Sequence, residues 1–382
     1  MSLYDELERA AKLDPERALI RITTTYEPAG GPDARVFPPT YPAGPRDEHP
    51  YVIEPRRYDG QERESVLLDS VPSEANRVEE ALLRAWRAKR VQIPLMLLEH
   101  EAVTLSSLEA PHRYADAYLR DSLIDGVAFD KSDVGAAILV STQDDASSLY
   151  EYDPGSLVYG AWNSHRKGRQ ARFPRIYESR IDGWDPKVGR RKAGRMDPLN
   201  LQGAVVGTGD NWEHQSVLEK ASARKEKGGV RLSEIGHGNI APSDAHGGVT
   251  ISGATRTATL SFAALDRLGF GPAPGEAQVA ARAALAAYAL LGDRLAFGAG
   301  SLWLRSGCEL LVIDEVIEWV GRGGKHAPFE LALNDAVELF GTARDRAQAA
   351  GLPMNLKPVT LKPNKALADA IDFSLTRATT EG

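Results

Sequence analysis

The segment RALIRITTTY, residues 17–26, alternates in polarity along its length. One side carries Ile20, Ile22, Thr24 and Tyr26, and the other carries Arg21, Thr23 and Thr25. A period of two predicts a half-buried β-strand. The run that follows, EPAGGPDARVFPPTYPAGPRDEHP, is too rich in proline and glycine for regular structure.

A helical period begins near Ser73, which is the predicted N-cap. One apolar stripe of this helix consists of Ala75, Val78, Leu82, Ala85 and Trp86. Arg77 and Arg84 fall away from the stripe. We therefore expect both arginines to be free for solvent or for a partner.

Residues 144–246 are basic, rich in glycine and without hydrophobic periodicity, which predicts a long insertion. Regular patterns then return. GGVTIS and TATLSFAAL read as strands, GEAQVAARAALAAYALLGD as a buried helix, and SLWLRSGCELLVIDEVIEWV as paired strands around Ser306-Gly307. Pro328 is predicted to open a final helix. Its inner face would consist of Phe329, Leu333, Ala336, Val337 and Phe340.

Without the insertion, the order of elements is strand–helix–strand(s) and then strand–helix–strand. This order predicts an α+β fold with a ferredoxin-like, RRM-like βαββαβ palm and long finger and thumb insertions. We assign residues 15–143 to the first half of the palm with a finger-like insertion, and residues 144–246 to the basic insertion. Residues 247–350 then form the second half of the palm, and residues 351–382 a C-terminal tail.

The composition of the chain excludes several classes of protein. The 382 residues include a single cysteine, Cys308, in an apolar run, so the chain can form neither an internal disulfide nor a thiolate metal cluster. Cys308 is either a small core residue or a nucleophile, and its apolar setting favours the core. The N-terminus lacks an apolar signal core, and no run of apolar residues is long enough to span a membrane. We expect a soluble cytoplasmic protein that does not contact a membrane.

The net charge of −7 is distributed very unevenly along the chain. Between Trp162 and Arg195 there are eleven Lys or Arg and three acidic residues, so this segment carries 11 − 3 = +8 and the rest −15. Aromatic residues lie among the cations. Such a mixture is either a solvated charge run or a single-stranded nucleic-acid site, where cations neutralise phosphates and rings stack on bases.

Four ordered blocks carry a family resemblance. The string LLDSVPSEANRVEEALL (Leu67 to Leu83) resembles "LLDSVQSQANRxE" of the type I-U/I-G Cascade backbone family, in the Cas-seven group of the RAMP superfamily. The other blocks are VFPPTY, HRYADAYLRDS, and the pair WNSHRKGRQARFPRIYESRI with EIGHGNIAP…GGVTI. Pro72 and Glu74 stand where the family pattern has glutamines, which speaks against RNA contact by Glu74.

The resemblance implies a non-catalytic subunit of a CRISPR surveillance complex. Several copies would stack helically along a guide crRNA, and a thumb-like insertion would displace bases at intervals so that the guide pairs with target DNA. The implied partners are the crRNA, target DNA, further copies of the chain, a large subunit, a Cas-five/Cas-six-type subunit and a helicase-nuclease. No cofactor or metal is implied.

The candidate contacts combine the basic segment with the start of the first helix, where backbone N–H groups favour a phosphate. The predicted RNA-binding residues are Ser70, Asn76, Arg77, Trp162, Ser164, His165, Arg166, Lys167, Arg169, Arg172, Phe173, Arg175, Arg180, His237 and Asn239. Alternatives stay open for some of them. Ser70 and Asn76 could cap the helix, and Trp162 or Phe173 could belong to the core.

Two enzymatic interpretations compete with the scaffold. Related RAMP backbones cut RNA with a loop aspartate, for which Asp210 in GTGDNW is the candidate, so the main alternative is an endoribonuclease for crRNA or target RNA. A metal-dependent hydrolase would use His237, Asp244 and His246, but these lack a helical spacing and a cysteine. The resemblance favours the scaffold, because in type I systems a separate protein cuts.

Overall fold

The computed structural model describes residues 1–42, 44, 49–58, 60–163, 172–190, 194, 196–198 and 247–376, and the backbone of 205–206, 230–231 and 377–380. The helices in these ranges are α1 (Leu3–Ala11), α2 (Val71–Arg87), α3 (Ala117–Arg120), α4 (Asp133–Val140), α5 (Ser147–Tyr152), α6 (Pro154–Val158), α7 (Phe262–Leu265), α8 (Gly275–Phe297), α9 (Leu333–Ala349) and α10 (Lys365–Thr380). None of them is long and apolar enough to cross a membrane.

The strands in the same ranges are β1 (Leu19–Pro28), β2 (Arg35–Val36), β3 (Ile53–Tyr58), β4 (Gln61–Asp69), β5 (Met96–His100), β6 (Val103–Ser106), β7 (Ser122–Ile124), β8 (Val127–Ala128), β9 (Ala161–Trp162), β10 (Arg172–Phe173), β11 (Tyr177–Trp184), β12 (Lys187–Val188), β13 (Val205–Val206), β14 (Val230–Arg231), β15 (Val249–Thr250), β16 (Gly253–Ser261), β17 (Ser301–Arg305), β18 (Cys308–Gly321), β19 (Lys325–Pro328) and β20 (Val359–Pro363).

The main sheet has the order β17-β18-β1-β16-β11-β4-β3, with β19 paired to β18. All its pairings are antiparallel. The strands β18-β1-β16-β11 are neighbours at the centre of this sheet. In chain order, helix α2 lies between β1 and β11, and helix α8 lies between β16 and β18. The α+β class is confirmed, and a ferredoxin-like palm is our interpretation of this strand order.

One face of the main sheet is covered by helices. Along β1 the buried residues alternate with half-buried ones, and Ile20, Ile22 and Tyr26 enter the core, as the period of two predicts. Helix α8 is buried almost all round, which explains its alanine-rich sequence, because small side chains let α2 and α9 pack closely against it. The strands around Gly307 are also confirmed.

Four smaller sheets complete the described part of the chain, two of which are the strand pairs β9-β10 and β13-β14. The order β6-β5-β20-β7-β8 joins residues from the first third of the chain to the C-terminal region, with β20 parallel to β5. The order β12-β15-β2 brings Arg35–Val36 beside Val249–Thr250. The proline- and glycine-rich segment is therefore held to the second half of the chain by β2, and also by hydrogen bonds from the Ala29 and Phe37 N–H groups to the carbonyls of Glu309 and Gly307.

Two predictions about the C-terminal third are wrong. Pro328 ends the strand Lys325–Pro328, and the next helix begins only at Leu333. Phe329 precedes that helix. Its buried face has Ala336 and Phe340, as predicted, but continues through Leu339, Ala343 and Ala347. Residues 351–382 are not a tail, since β20 and α10 lie there, and β20 pairs with both β5 and β7.

The basic insertion begins later than predicted. Helices α5 and α6 and strand β11 all lie after Asp144, and β11 pairs with β16 on one side and β4 on the other. Residues 177–184 were hard to recognise because YESRIDGW mixes charged and apolar residues. Its charged residues Glu178, Arg180 and Asp182 lie on the sheet face away from the helices, opposite threonines of β16.

Candidate nucleic-acid interface

The short hairpin formed by β9 and β10 begins the basic segment. Trp162 and Arg172 lie directly opposite each other in its register, so their side chains share a face. The Arg172 guanidinium carbon lies 4.4 Å from the centre of the Trp162 ring, in a cation–π contact. The indole is still 50% exposed. The hairpin thus presents a cation and an aromatic surface together.

A buried ion pair anchors this hairpin to helix α2. Arg113 donates to the Glu79 carboxylate through Nε at 2.6 Å and Nη2 at 2.9 Å, and through Nη1 to the Gly160 carbonyl at 2.8 Å. Burial opposes the charge on Arg113, but the adjacent Glu79 carboxylate outweighs it and raises the arginine pKa. Gly160 has φ +83°, and a Cβ there would lie 3.1 Å from the Arg175 nitrogen. Glycine permits this close turn.

An open cavity of about 630 Å³ lies beside the hairpin. Its described lining residues are Pro111, His112, Arg113, Gln143, Gly160, Ala161, Trp162, Arg172, Phe173, Pro174, Arg175 and Arg267. These residues include no carboxylate. Arg172, Arg175 and Arg267 are exposed, and none of the three forms an ion pair within the described ranges. We call these three arginines with Trp162 the hairpin cavity site.

The chemistry of the hairpin cavity site suits a nucleotide. Unpaired guanidinium groups bind phosphate in a fixed fork geometry, and an exposed indole accepts a base on its open face. The Arg172 carbonyl accepts a hydrogen bond from Gln143 Nε2 at 2.7 Å, which holds the strand that carries this arginine. The backbone of β10 is therefore held in place by a hydrogen bond, and no described carboxylate neutralises the three arginines of the site.

Several predicted contact residues line this cavity, and one of them, Phe173, does so from the core. Trp162, Arg172 and Arg175 line the cavity, as the basic-segment hypothesis requires. Phe173 is only 3% exposed and packs edge-to-face on Tyr114, with ring centres 6.1 Å apart, so it belongs to the core. The predicted residues outside the described ranges are Ser164, His165, Arg166, Lys167, Arg169, His237 and Asn239, and the enzymatic candidates Asp210, Asp244 and His246.

The predicted phosphate site at the start of α2 has a different structure. The helix begins at Val71, and Ser70 rather than Ser73 is the N-cap, since the Ser73 N–H donates to Ser70 Oγ at 3.4 Å. Asn76 is exposed. Arg77 is not free: its Nε and Nη2 both donate to Asp69 Oδ2 at 3.1 Å. The Ser70 side chain therefore caps the helix, and the charge of Arg77 is balanced.

Arg180 lies on the exposed face of the main sheet and is also paired. It donates to Asp182 Oδ1 at 2.6 Å and to Glu54 Oε1 at 3.0 Å. Partial burial opposes its charge, but these carboxylates raise the pKa of Arg180. Asp182 also bonds Arg56. Because Arg180 and Arg56 are already paired with carboxylates, we expect them to bind a phosphate more weakly than the arginines of the hairpin cavity site, which form no ion pair with the described residues.

Glu74 is fully buried, in accord with the doubt about its contact with RNA. Its Oε2 accepts from Arg256 Nε at 3.1 Å and from the Ser179 hydroxyl. Arg256 also donates to Asp293 Oδ2 at 2.5 Å, and its guanidinium carbon lies 3.5 Å from the Phe297 ring centre. Burial raises the pKa of Glu74 to about 7, although Arg256 opposes the shift. This cluster links the sheet to α2 and α8.

Several polar residues of the cavity lining were not predicted from the sequence, among them His112, Gln143 and Arg267. His112 and Gln143 precede the basic segment, and Arg267 follows α7, about seventy residues beyond it. His112 stood in a block already noted, HRYADAYLRDS, which was a usable signal. Arg267 had none, because only the folded chain brings it beside the hairpin. Cys308 is buried, and its burial raises its pKa to about 11, so it belongs to the core.

A family model described as CRISPR-associated protein GSU0053 matches residues 20–188 of the chain. The matched region runs from β1 to β12 and includes α2, the hairpin and most of the cavity lining. No curated protein matches the chain. The similarity to this family therefore covers less than half of the chain, and Arg267 lies outside the matched region.

Proposed function

We propose that the protein is a non-catalytic backbone subunit of a type I CRISPR surveillance complex, which oligomerises along guide crRNA and presents it for pairing with target DNA. The family match supports the CRISPR association, and the four blocks quoted above favour the Cas-seven backbone within it. The other subunits of the complex, including a large subunit and a helicase-nuclease, are partners under the same proposal.

The observation that carries the proposal is the hairpin cavity site. Three arginines that form no ion pair with the described residues line one cavity with the exposed Trp162, at the point where the most basic segment of the chain begins. A protein that leaves sequence recognition to base pairing has to hold the backbone of its guide and leave base edges accessible. Phosphate-binding arginines and a stacking ring are sufficient for that task, and neither reads sequence.

The test is binding of a labelled single-stranded RNA to the purified chain, measured by fluorescence anisotropy as a function of salt. The change is the triple variant Arg172→Ala, Arg175→Ala and Arg267→Ala. Each lost phosphate contact removes roughly 0.7 from the slope of log K against log salt, so the slope should fall by about 2. Affinity at low salt should fall by about 1,000-fold or more, since charge-assisted bonds contribute about 1.5–3 kcal/mol each and about 1.4 kcal/mol is a factor of ten.

A variant of equal charge change provides the control. Lys12→Ala, Arg84→Ala and Lys365→Ala remove three exposed cations that each form an i,i+4 ion pair on a helix. This control should retain the affinity and the salt slope of the parent protein. Equal losses in both triple variants would mean that only net charge matters. Cleavage of the RNA by the parent protein in magnesium would favour the endoribonuclease instead.

A further inference from the structure

A half-buried glutamine joins two parts of the chain that supply arginines to the hairpin cavity site. The backbone carbonyl of Gln143 accepts a hydrogen bond from the Gly269 N–H at 2.7 Å, two residues after Arg267. Its side-chain Nε2 donates to the Arg172 carbonyl at 2.7 Å. Gln143 therefore contacts the loop of one arginine with its backbone and the strand of the other with its side chain.

The backbone around Gln143 is packed closely against the loop that carries Arg267. The Ala146 N–H donates to the Gly269 carbonyl at 2.9 Å, so Gly269 is bonded through both its N–H and its carbonyl. A Cβ at Gly269 would lie 2.5 Å from the Asp144 carbonyl oxygen, and glycine is what permits this approach. The glutamine is thus held in position before any ligand binds.

The hydrogen bond from Nε2 also fixes the orientation of the amide group. Because the amide nitrogen points to the Arg172 carbonyl, the other terminal atom, Oε1, is left as a hydrogen-bond acceptor. No described residue donates a hydrogen bond to this oxygen. Gln143 lines the cavity, so its amide oxygen is available to a ligand there.

The chemistry of the other lining side chains makes this oxygen distinctive. The four lining arginines and the Trp162 indole are hydrogen-bond donors alone. Among the described lining side chains, the acceptors are Gln143 Oε1 and one ring nitrogen of a neutral His112. Donors suit phosphate oxygens, which carry no hydrogen. An acceptor suits a ligand group that has a hydrogen to donate.

We propose that Gln143 is the residue by which the hairpin cavity site distinguishes RNA from DNA, because its Oε1 accepts a hydrogen bond from a ribose 2′-hydroxyl. The inference rests on the proposed function, in which Arg172 and Arg267 hold phosphates of the guide. A sugar lies between successive phosphates, and Gln143 contacts both segments that carry these arginines. The 2′-hydroxyl is the donor that deoxyribose lacks.

The test compares three strands of equal length: oligouridine, oligodeoxyuridine, and 2′-fluoro oligouridine, whose sugar keeps the RNA shape but has no hydroxyl. The parent chain should bind oligouridine about five-fold more tightly than the other two strands, which is the size of one net hydrogen bond. Gln143→Met keeps the length of the side chain without its amide. This variant should bind oligouridine as weakly as oligodeoxyuridine, with its affinity for the other two strands unchanged.

Gln278 on α8 provides the matched control. Its Nε2 also donates to a backbone carbonyl, that of Ala273 at 3.0 Å, but Gln278 does not line the cavity. Gln278→Met should bind all three strands with the affinities of the parent chain. A loss of RNA preference in this variant as well would overturn the assignment to Gln143.

Three further outcomes overturn the inference and leave the proposed function standing. Equal binding of the 2′-fluoro strand and oligouridine by the parent chain would mean that no hydroxyl is recognised, and this comparison needs no variant. An equal loss on all three strands in Gln143→Met would mean that the residue only holds the hairpin in place. An undiminished preference for oligouridine in that variant would assign the recognition to another acceptor. If the parent chain binds none of the strands, the proposed function fails and the inference fails with it.

Discussion

At the scale of single residues, what matters is whether a charged side chain is already paired. Arg77, Arg180 and Arg172 were equivalent cations in the sequence. In the structure Arg77 binds Asp69 and Arg180 binds Asp182, whereas Arg172 stacks on the face of Trp162 and forms no ion pair with the described residues. An arginine that is already neutralised gains little from a phosphate. Partner carboxylates, which sequence distance conceals, therefore decide which cations remain available.

Glu74 gives a residue-scale prediction on pH. Its pKa is about 7 in the folded chain against an ordinary 4.5, so the folded state binds the proton more tightly between these values. The stability contributed by this group is complete below pH 4.5 and is lost as the pH rises to about 7. Glu74→Gln, which stays neutral, should therefore gain stability relative to the parent as the pH rises through this range. Urea unfolding at several pH values measures the difference.

Glu80 provides the matched control for that experiment. It lies on the same helix but is exposed and pairs with Arg84 at 2.9 Å. Glu80→Gln should show a small difference from the parent at every pH, because an exposed pair contributes about 0–1 kcal/mol. A pH-independent difference for Glu74→Gln as well would mean that the proton on Glu74 is not linked to folding.

At the scale of elements, regular periods were predictable from the sequence and sheet neighbours were not. The alternation of β1 and the all-round apolar helix α8 were recognised because each buries a repeating pattern. Strand β11 was missed because the face away from the helices carries Arg180 and Asp182, which form ion pairs with Glu54 and Arg56 of β3. The start of α9 was misplaced because Pro328 also fits the end of an edge strand, where no N–H is needed.

The contact between α2 and α8 gives an element-scale prediction. A Cβ added at Gly292 would lie 2.5 Å from Val78 Cγ1 and 2.6 Å from the Tyr159 hydroxyl. Gly292→Ala should therefore destabilise the fold by about 1–3 kcal/mol, since a packed helix interface has no room for a methyl group. Thermal or urea unfolding of the variant measures the loss.

Gly341 on α9 is the opposite case and serves as the control. A Cβ there meets nothing within 4 Å, so the substitution adds helix propensity without a clash. Gly341→Ala should stabilise the chain by roughly 0.5–1 kcal/mol. Equal stability of the two alanine variants would mean that α2 and α8 do not approach each other as closely as the structure shows.

At the scale of the whole molecule, the distribution of charge along the sequence and the family resemblance indicated the candidate site more directly than the predicted fold did. The basic segment pointed to the hairpin, and the structure adds Arg267 and His112 from distant parts of the sequence. No pattern within one segment could show that Arg267 lies beside the same cavity as β10. The same holds for the five-stranded sheet, where β20 pairs with strands more than two hundred residues earlier.

The central claim is that copies of the chain line a guide RNA, and mass as a function of RNA length tests it most directly. The protein is mixed in excess with single-stranded RNAs of increasing length, and the mass of each complex is measured by light scattering after gel filtration. A head-to-tail interface that does not close adds copies without limit. The account predicts a mass that rises by one protein copy for each fixed increment of RNA. A complex with the same number of copies at every length, or RNA that is cut during the measurement, would contradict it.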